Sequence, residues 1–196
     1  QLVGGHTTMG AEFTIGFTVT GTKNSMPLTI EGAKHGDALI LTRPIGSGVI
    51  LAADMLGQAE GRDVADTLAI MGQPQDREAS VLSAVAHAMT DVTGFGLAGH
   101  VHAMCQASGL DAHLFKDAIP IYPGARALSD AGVSSTLMPE NCTDAPVNGL
   151  HDALLYDPQT AGGLLASVPE RQCAAVIEAL GALGCTGHII GRLSKG

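Results

Sequence analysis

The chain is short of aromatic and basic side chains. It has no tryptophan, two tyrosines and four phenylalanines in 196 residues, with ten lysines and arginines against nineteen aspartates and glutamates. A formal charge of -9 leaves no basic stripe to follow a phosphate backbone, which excludes nucleic acid as a partner. No apolar run is as long as a bilayer is thick, so no membrane span is expected. Cys105, Cys142, Cys173 and Cys185 are widely spaced and form no C-x-x-C, which excludes a zinc knuckle and a thioredoxin-like pair. They read as buried apolar thiols of a cytoplasmic protein. His100 and His102 stand two apart on an expected helix, so they face different sides and are not expected to share a metal. A starting methionine and a signal-like start are also missing. The chain enters at Gln1 almost directly into Gly4-Gly5-His6-Thr7, as expected of part of a longer protein.

What is present is a hydrophobic content of 45%, enough to bury a substantial core. Alternation and β-branched residues predict strands at Glu12 to Thr20, ended by Gly21 to Ser25, and at Asp37 to Thr42. Pro44-Ile45-Gly46-Ser47-Gly48 then leads into an apolar helix from Val49 to about Leu56. That turn resembles a phosphate loop, but no Gly-Lys-Ser/Thr follows, so it reads as a plain strand-to-helix turn. Further helices are expected at Val64 to Met71, Asp76 to His87, Leu97 to Ser108 with Gly109 closing it, Gly124 to Ala131, and Pro169 to Leu183. Short strands are expected at Ala88 to Val92, Leu110 to Phe115, Leu164 to Val168 and His188 to Leu193. Gly132 to Gly149 reads as a long irregular connection. This order argues for an α+β or α/β layered domain.

Thr90-Asp91-Val92-Thr93-Gly94-Phe95-Gly96-Leu97-Ala98-Gly99-His100 carries the most chemistry. A helix start presents unpaired N–H groups to an anion, and glycines let a ligand come close to the backbone. Asp91 ahead of them would repel a bare phosphate unless a divalent cation lay between, which suits a magnesium nucleotide. The alternative is a tight turn whose glycines serve helix packing, with Asp91 as a local cap. Gly94, Gly96 and Gly99 also spell G-x-G-x-x-G, but a dinucleotide fingerprint needs a buried strand before its first glycine. Only a short extended piece precedes this one. Gly4 to Thr7, read alone, is a turn before a strand. Asp157 to Gly163 reads equally as a proline-containing turn or as a functional loop.

Taken together, Gly4-Gly5-His6-Thr7, the Thr90 to His100 stretch, Asp157-Pro158-Gln159-Thr160-Ala161-Gly162-Gly163-Leu164-Leu165 and Gly36 to Gly48 resemble the selenophosphate synthetase family, in the family's order. The glycine-rich aspartate turn alone would indicate only the wider aminoimidazole ribonucleotide synthetase superfamily. The Asp157 to Gly163 loop selects the narrower family, with Ala161 where the family often has serine. The resemblance implies an α+β fold, a mixed sheet packed with helices, with residues 34–196 as the superfamily's C-terminal domain. Residues 1–33 would be the closing strand and linker of an N-terminal ATP-binding domain. It also implies a homodimer that makes selenophosphate from selenide, water and ATP, with release of AMP and phosphate and with Mg2+ as the metal. Asp91 falls on a family magnesium ligand, and Gly4, Gly5 and His6 fall on a nucleotide-binding stretch shared across the dimer interface. The family's nucleophilic cysteine or selenocysteine and catalytic lysine have no counterpart here, so the chain is expected to be inactive alone. Two alternatives remain: another ATP-using member of the superfamily, a kinase or amidine-forming ligase, or a non-catalytic dimerisation module.

Overall fold

The computed structural model describes residues 3–7, 9–12, 14–22, 26–149 and 152–195. Its centre is β1 (Asp37–Leu41), where all five residues are buried. A strand covered on both faces carries little of the in/out polarity alternation of a half-exposed one. The twofold period of the strand still sorts its side chains. Leu39 and Leu41 join the larger hydrophobic cluster, whereas Ala38 and Ile40 join the smaller one on the opposite face. The first face is covered by α1 (Ser47–Met55), α4 (Gly96–Ser108) and α5 (Ala125–Asp130), and the second by α3 (Asp76–Ser83) and α7 (Cys173–Ala182). α2 (Gly61–Met71) packs against α1.

With β2 (Ala88–Asp91), β3 (Asp111–Leu114), β4 (Leu164–Pro169) and β5 (His188–Ser194), β1 forms a five-stranded sheet in the order β2-β4-β1-β5-β3. The fold is α+β, as expected. The sheet is not mixed, however: every strand pair is antiparallel, and the parallel contact recorded is an isolated bridge between Ile45 and Ile121 outside the strands. An antiparallel sheet has no βαβ crossover, so the glycines after Asp91 cannot open a dinucleotide fold.

Four expected elements differ. Glu12 to Thr20 forms no strand among its described residues, and Ile15, Phe17 and Val19 stay exposed; its backbone has no neighbouring strand to complete a ladder. Lys23 to Ser25, expected to end that strand, lie outside the described residues. The helix expected to reach His87 stops at Ser83, because the His87 N–H is taken by the Ser167 carbonyl at 2.8 Å as the chain enters the sheet. Pro169 ends β4 rather than opening a helix; a 3-10 turn, Glu170–Gln172, separates it from α7. The connection from Gly132 to Gly149 contains α6 (Met138–Asp144), with a proline in its first turn.

Residues before β1 are tied to the sheet and to α4, and the Gly36 N–H donates to the Leu193 carbonyl of β5 at 2.9 Å. The Thr29 carbonyl accepts from the Met89 N–H at 2.9 Å, capping part of the open edge of β2, and the Ala33 N–H donates to Ser108 Oγ at 3.2 Å.

Candidate metal and anion site at the Asp91 turn

Asp91 is the last residue of β2, opposite Leu164 of β4, and it is exposed. The Val92 N–H donates to the Gly163 carbonyl at 2.8 Å, so the strand is fixed up to the point where the carboxylate emerges. Among the described residues no three His, Cys, Asp or Glu side chains gather to hold a metal. A magnesium ion at Asp91 would have this one carboxylate and would need phosphate oxygens and water for its other positions.

The glycines that follow divide by purpose. Gly96 has φ +70°, and a Cβ there would stand 2.8 Å from the Leu155 carbonyl oxygen; a Cβ on Gly99 would stand 2.7 Å from that of Phe95. Both are glycine because the fold leaves no room. Gly94 has nothing within 4 Å and faces open space beside Phe95, which is 66% exposed. His100 holds the turn from α4: the Thr93 N–H donates to His100 Nε2 at 2.9 Å, with Thr93 Oγ1 at 3.2 Å. An accepting Nε2 puts the ring proton on Nδ1. Burial pushes the pKa of His100 down, against the opposing pull of the Asp91 charge, so the ring is suited to its role as a neutral acceptor. Two of the glycines and His100 thus serve packing and turn geometry, while Asp91 and Gly94 remain open.

The Asp157 to Gly163 loop lies directly behind this turn. Gln159 Oε1 accepts from the Gly46 N–H at 3.0 Å, the Ser47 N–H at 3.1 Å and Ser47 Oγ at 3.0 Å. Asp157 Oδ2 accepts from the Gly48 N–H at 3.0 Å and from Gln159 Nε2 at 3.0 Å. The N-terminus of α1 is therefore filled by the chain's own side chains, which accounts for the plain-turn reading of Pro44 to Gly48. Asp157 is fully buried, and burial pushes its pKa up to about 6. The loop also reaches the Asp91 turn, since the Gln159 N–H donates to the Thr93 carbonyl at 3.0 Å. Arg43, itself buried, donates through Nη1 to the Ala161 carbonyl at 2.8 Å, and Gln75 Nε2 donates to that of Gly162 at 2.9 Å. Ala161 has φ +48°, the single non-glycine residue with positive φ among the described residues.

A further residue joins the two motifs. Asn141 of α6 is buried and donates through Nδ2 to the Gly94 carbonyl at 2.8 Å and the Tyr156 carbonyl at 2.9 Å. It falls in the stretch expected to be irregular, and a lone asparagine in such a stretch carries no sequence signal of this contact. Gly4, Gly5 and His6 are exposed, and both glycines have nothing within 4 Å; the fold does not bring them to Asp91. The four cysteines are free, with Cys105 and Cys173 buried. Burial raises the pKa of the Cys105 thiol to about 11, which suits a packing group and not a nucleophile.

Residues 34–196 match the family described as AIR synthase related protein, C-terminal domain, and the chain belongs to that family. Among curated relatives, it is 34% identical over 204 residues to the selenide, water dikinase of Bdellovibrio bacteriovorus, covering 98% of this chain and 58% of the relative. It is 35% identical over 207 residues to that of Myxococcus xanthus, covering 100% of this chain and 59% of the relative. The chain thus spans a little under three fifths of the curated relatives it matches. In fold it is similar to thiamine-monophosphate kinase from Stenotrophomonas maltophilia, with TM-score 0.63 and 22% identity over 86% of this chain and 51% of that one. The Escherichia coli hydrogenase maturation protein HypE gives TM-score 0.63 and 19% identity over 87% of this chain and 47% of that one. No helix among the described residues is long and apolar enough to cross a membrane.

Proposed function

We propose that the protein carrying this chain makes selenophosphate from selenide and water using ATP, with release of AMP and phosphate and with Mg2+ as the metal. The observation that carries this reading is the exposed Asp91 carboxylate at the mouth of a glycine turn held from behind by His100, Asn141 and Gln159. Likeness to curated selenide, water dikinases over nearly the whole chain supports the choice of substrate.

In this reading Asp91 supplies one oxygen to a magnesium ion that neutralises phosphate charge during transfer. Phosphoryl transfer depends mainly on positioning and charge stabilisation, so the task of this chain is to hold that carboxylate and the open Gly94 backbone in fixed register. Gly4, Gly5 and His6 would contact nucleotide across the interface of a homodimer, and residues 1–33 would complete an ATP-binding domain whose C-terminal neighbour is residues 34–196. This reading assigns no covalent step of the selenophosphate reaction to a described side chain of this chain. One carboxylate is too little to bind Mg2+ with a triphosphate tightly, so these residues alone should bind Mg-ATP poorly and make no selenophosphate.

The test is AMP release with and without selenide, by residues 1–196 alone and by a protein of the relatives' full length that contains them. Selenide-dependent AMP formation in the longer protein alone is expected. Turnover by residues 1–196 would overturn the division of labour. Nucleotide turnover indifferent to selenide would move the assignment to another ATP-using chemistry of the same fold.

A further inference from the structure

At the end of the sheet opposite Asp91, where β1 begins and β4 ends, a second group of polar side chains surrounds Asp37. Asp37 is buried. Its Oδ2 accepts from the Lys34 backbone N–H at 2.9 Å and from Ser167 Oγ at 2.6 Å, and it lies 2.8 Å from His87 Nδ1. The other ring nitrogen, Nε2, lies 3.2 Å from Lys34 Nζ. With the Nδ1 proton directed at the carboxylate, Nε2 is left as an acceptor facing the lysine ammonium. Carboxylate, imidazole and amine stand in sequence on fixed supports, because the Asp37 N–H also closes a turn onto the Lys34 carbonyl at 3.0 Å.

This group opens on a cleft of about 660 Å³ lined by Lys34, His35, His87, Glu170 and Arg171 among others. Glu170 is engaged by Arg192, whereas Arg171 has no carboxylate partner among the described residues. The cleft therefore offers a spare cation next to an amine that has a proton acceptor in place.

We propose that Lys34 is a site of acylation by small acyl phosphates, with His87 as proton acceptor and Asp37 as the group that orients it. The Lys34 ammonium gives one proton to His87 Nε2, and the Asp37 carboxylate stabilises the imidazolium. The freed electron pair of Nζ forms a bond to the acyl carbon, and the bond from that carbon to the phosphate oxygen breaks. Phosphate leaves with the electron pair, beside Arg171, and takes the second Nζ proton; His87 returns the first to water. The products are an amide on Lys34 and inorganic phosphate. The amide carries no charge, so the ammonium contact between the segment before β1 and His87 is lost.

The experiment treats the 196-residue chain with acetyl phosphate and follows initial acetylation rates at Lys34, Lys116 and Lys195 by peptide mass spectrometry. Lys34 is expected to react at least about tenfold faster than the other two, and the preference should vanish in concentrated urea. His87→Gln, checked for native circular dichroism, should bring Lys34 down to the rate of Lys116. Equal rates in the folded wild-type chain, or an unchanged preference in folded His87→Gln, would overturn the proposal. An equal preference with acetyl-coenzyme A would overturn the phosphate assignment of the cleft.

Discussion

Asp91 and Asp157 each precede a glycine-containing loop, and the two loops touch, yet their environments are opposite. Asp91 emerges exposed at the end of an edge strand. Asp157 is fully buried and hydrogen-bonded to the backbone of α1. A carboxylate in water retains its charge for a cation, whereas one taken out of water must be satisfied by donors or bind a proton. The first aspartate is therefore available for chemistry, and the second holds the platform.

The strongest test of this contrast lies in the glycines. A Cβ on Gly48 would run into the Pro158 carbonyl and the Asp157 carboxylate, so Gly48→Ala should cost about 3 kcal/mol or prevent folding. Gly94→Ala, with open space around it, should stay within about 0.5 kcal/mol. Urea denaturation of both variants checks the pair; equal losses would erase the distinction between the two loops.

Next in size is the pH dependence of Asp157. Its folded pKa of about 6 lies above the ordinary carboxyl value of 3.8, so between those values the folded state binds the extra proton. The contribution is fully present below the lower value and is lost as pH rises to the upper one, up to about 3 kcal/mol. His100 works in the other direction. Its folded pKa lies below 6.5, so its contribution is present above 6.5 and lost as pH falls below it. Asp157→Asn should remove the first trend and leave a weak rise in stability with pH towards 6.5. Denaturant melts across this range would sink the assignment if wild type and variant ran parallel.

Asn141→Ala should cost about 2 kcal/mol, since it leaves the Gly94 and Tyr156 carbonyls without the donor they share. It should also raise amide exchange at Thr93 to Gly96 more than in the strands. The smallest effect on stability is expected at Asp91. Asp91→Asn should leave denaturation within about 0.5 kcal/mol of wild type while weakening Mg-ATP use in the longer protein. Wild-type turnover with an unchanged magnesium requirement would remove Asp91 from the site.

Much of this organisation is legible in the chain itself. The apolar runs of β1 and β4 and the closing Gly109 of α4, at φ +66°, follow from local pattern and backbone chemistry. The Asp91 turn and the Asp157 loop stand out by residue type before any contact is known. Boundaries set by long-range partners are another matter. The helix after Asp76 ends at Ser83 because His87 is needed by β4, and no residue near it announces that.

By itself the sequence pattern determined a layered domain of α+β or α/β class, the places of the strands and most helices of residues 34–196, and the two motif loops; the family resemblance chose α+β. These depend on periodicity and turn residues, which act over a few positions. The antiparallel sheet order, the burial of Asp157 against the exposure of Asp91, and the meeting of Asn141 with Gly94 and Tyr156 were decided only in three dimensions. Each joins residues far apart along the chain, and whether a carboxylate keeps its water depends on what packs over it.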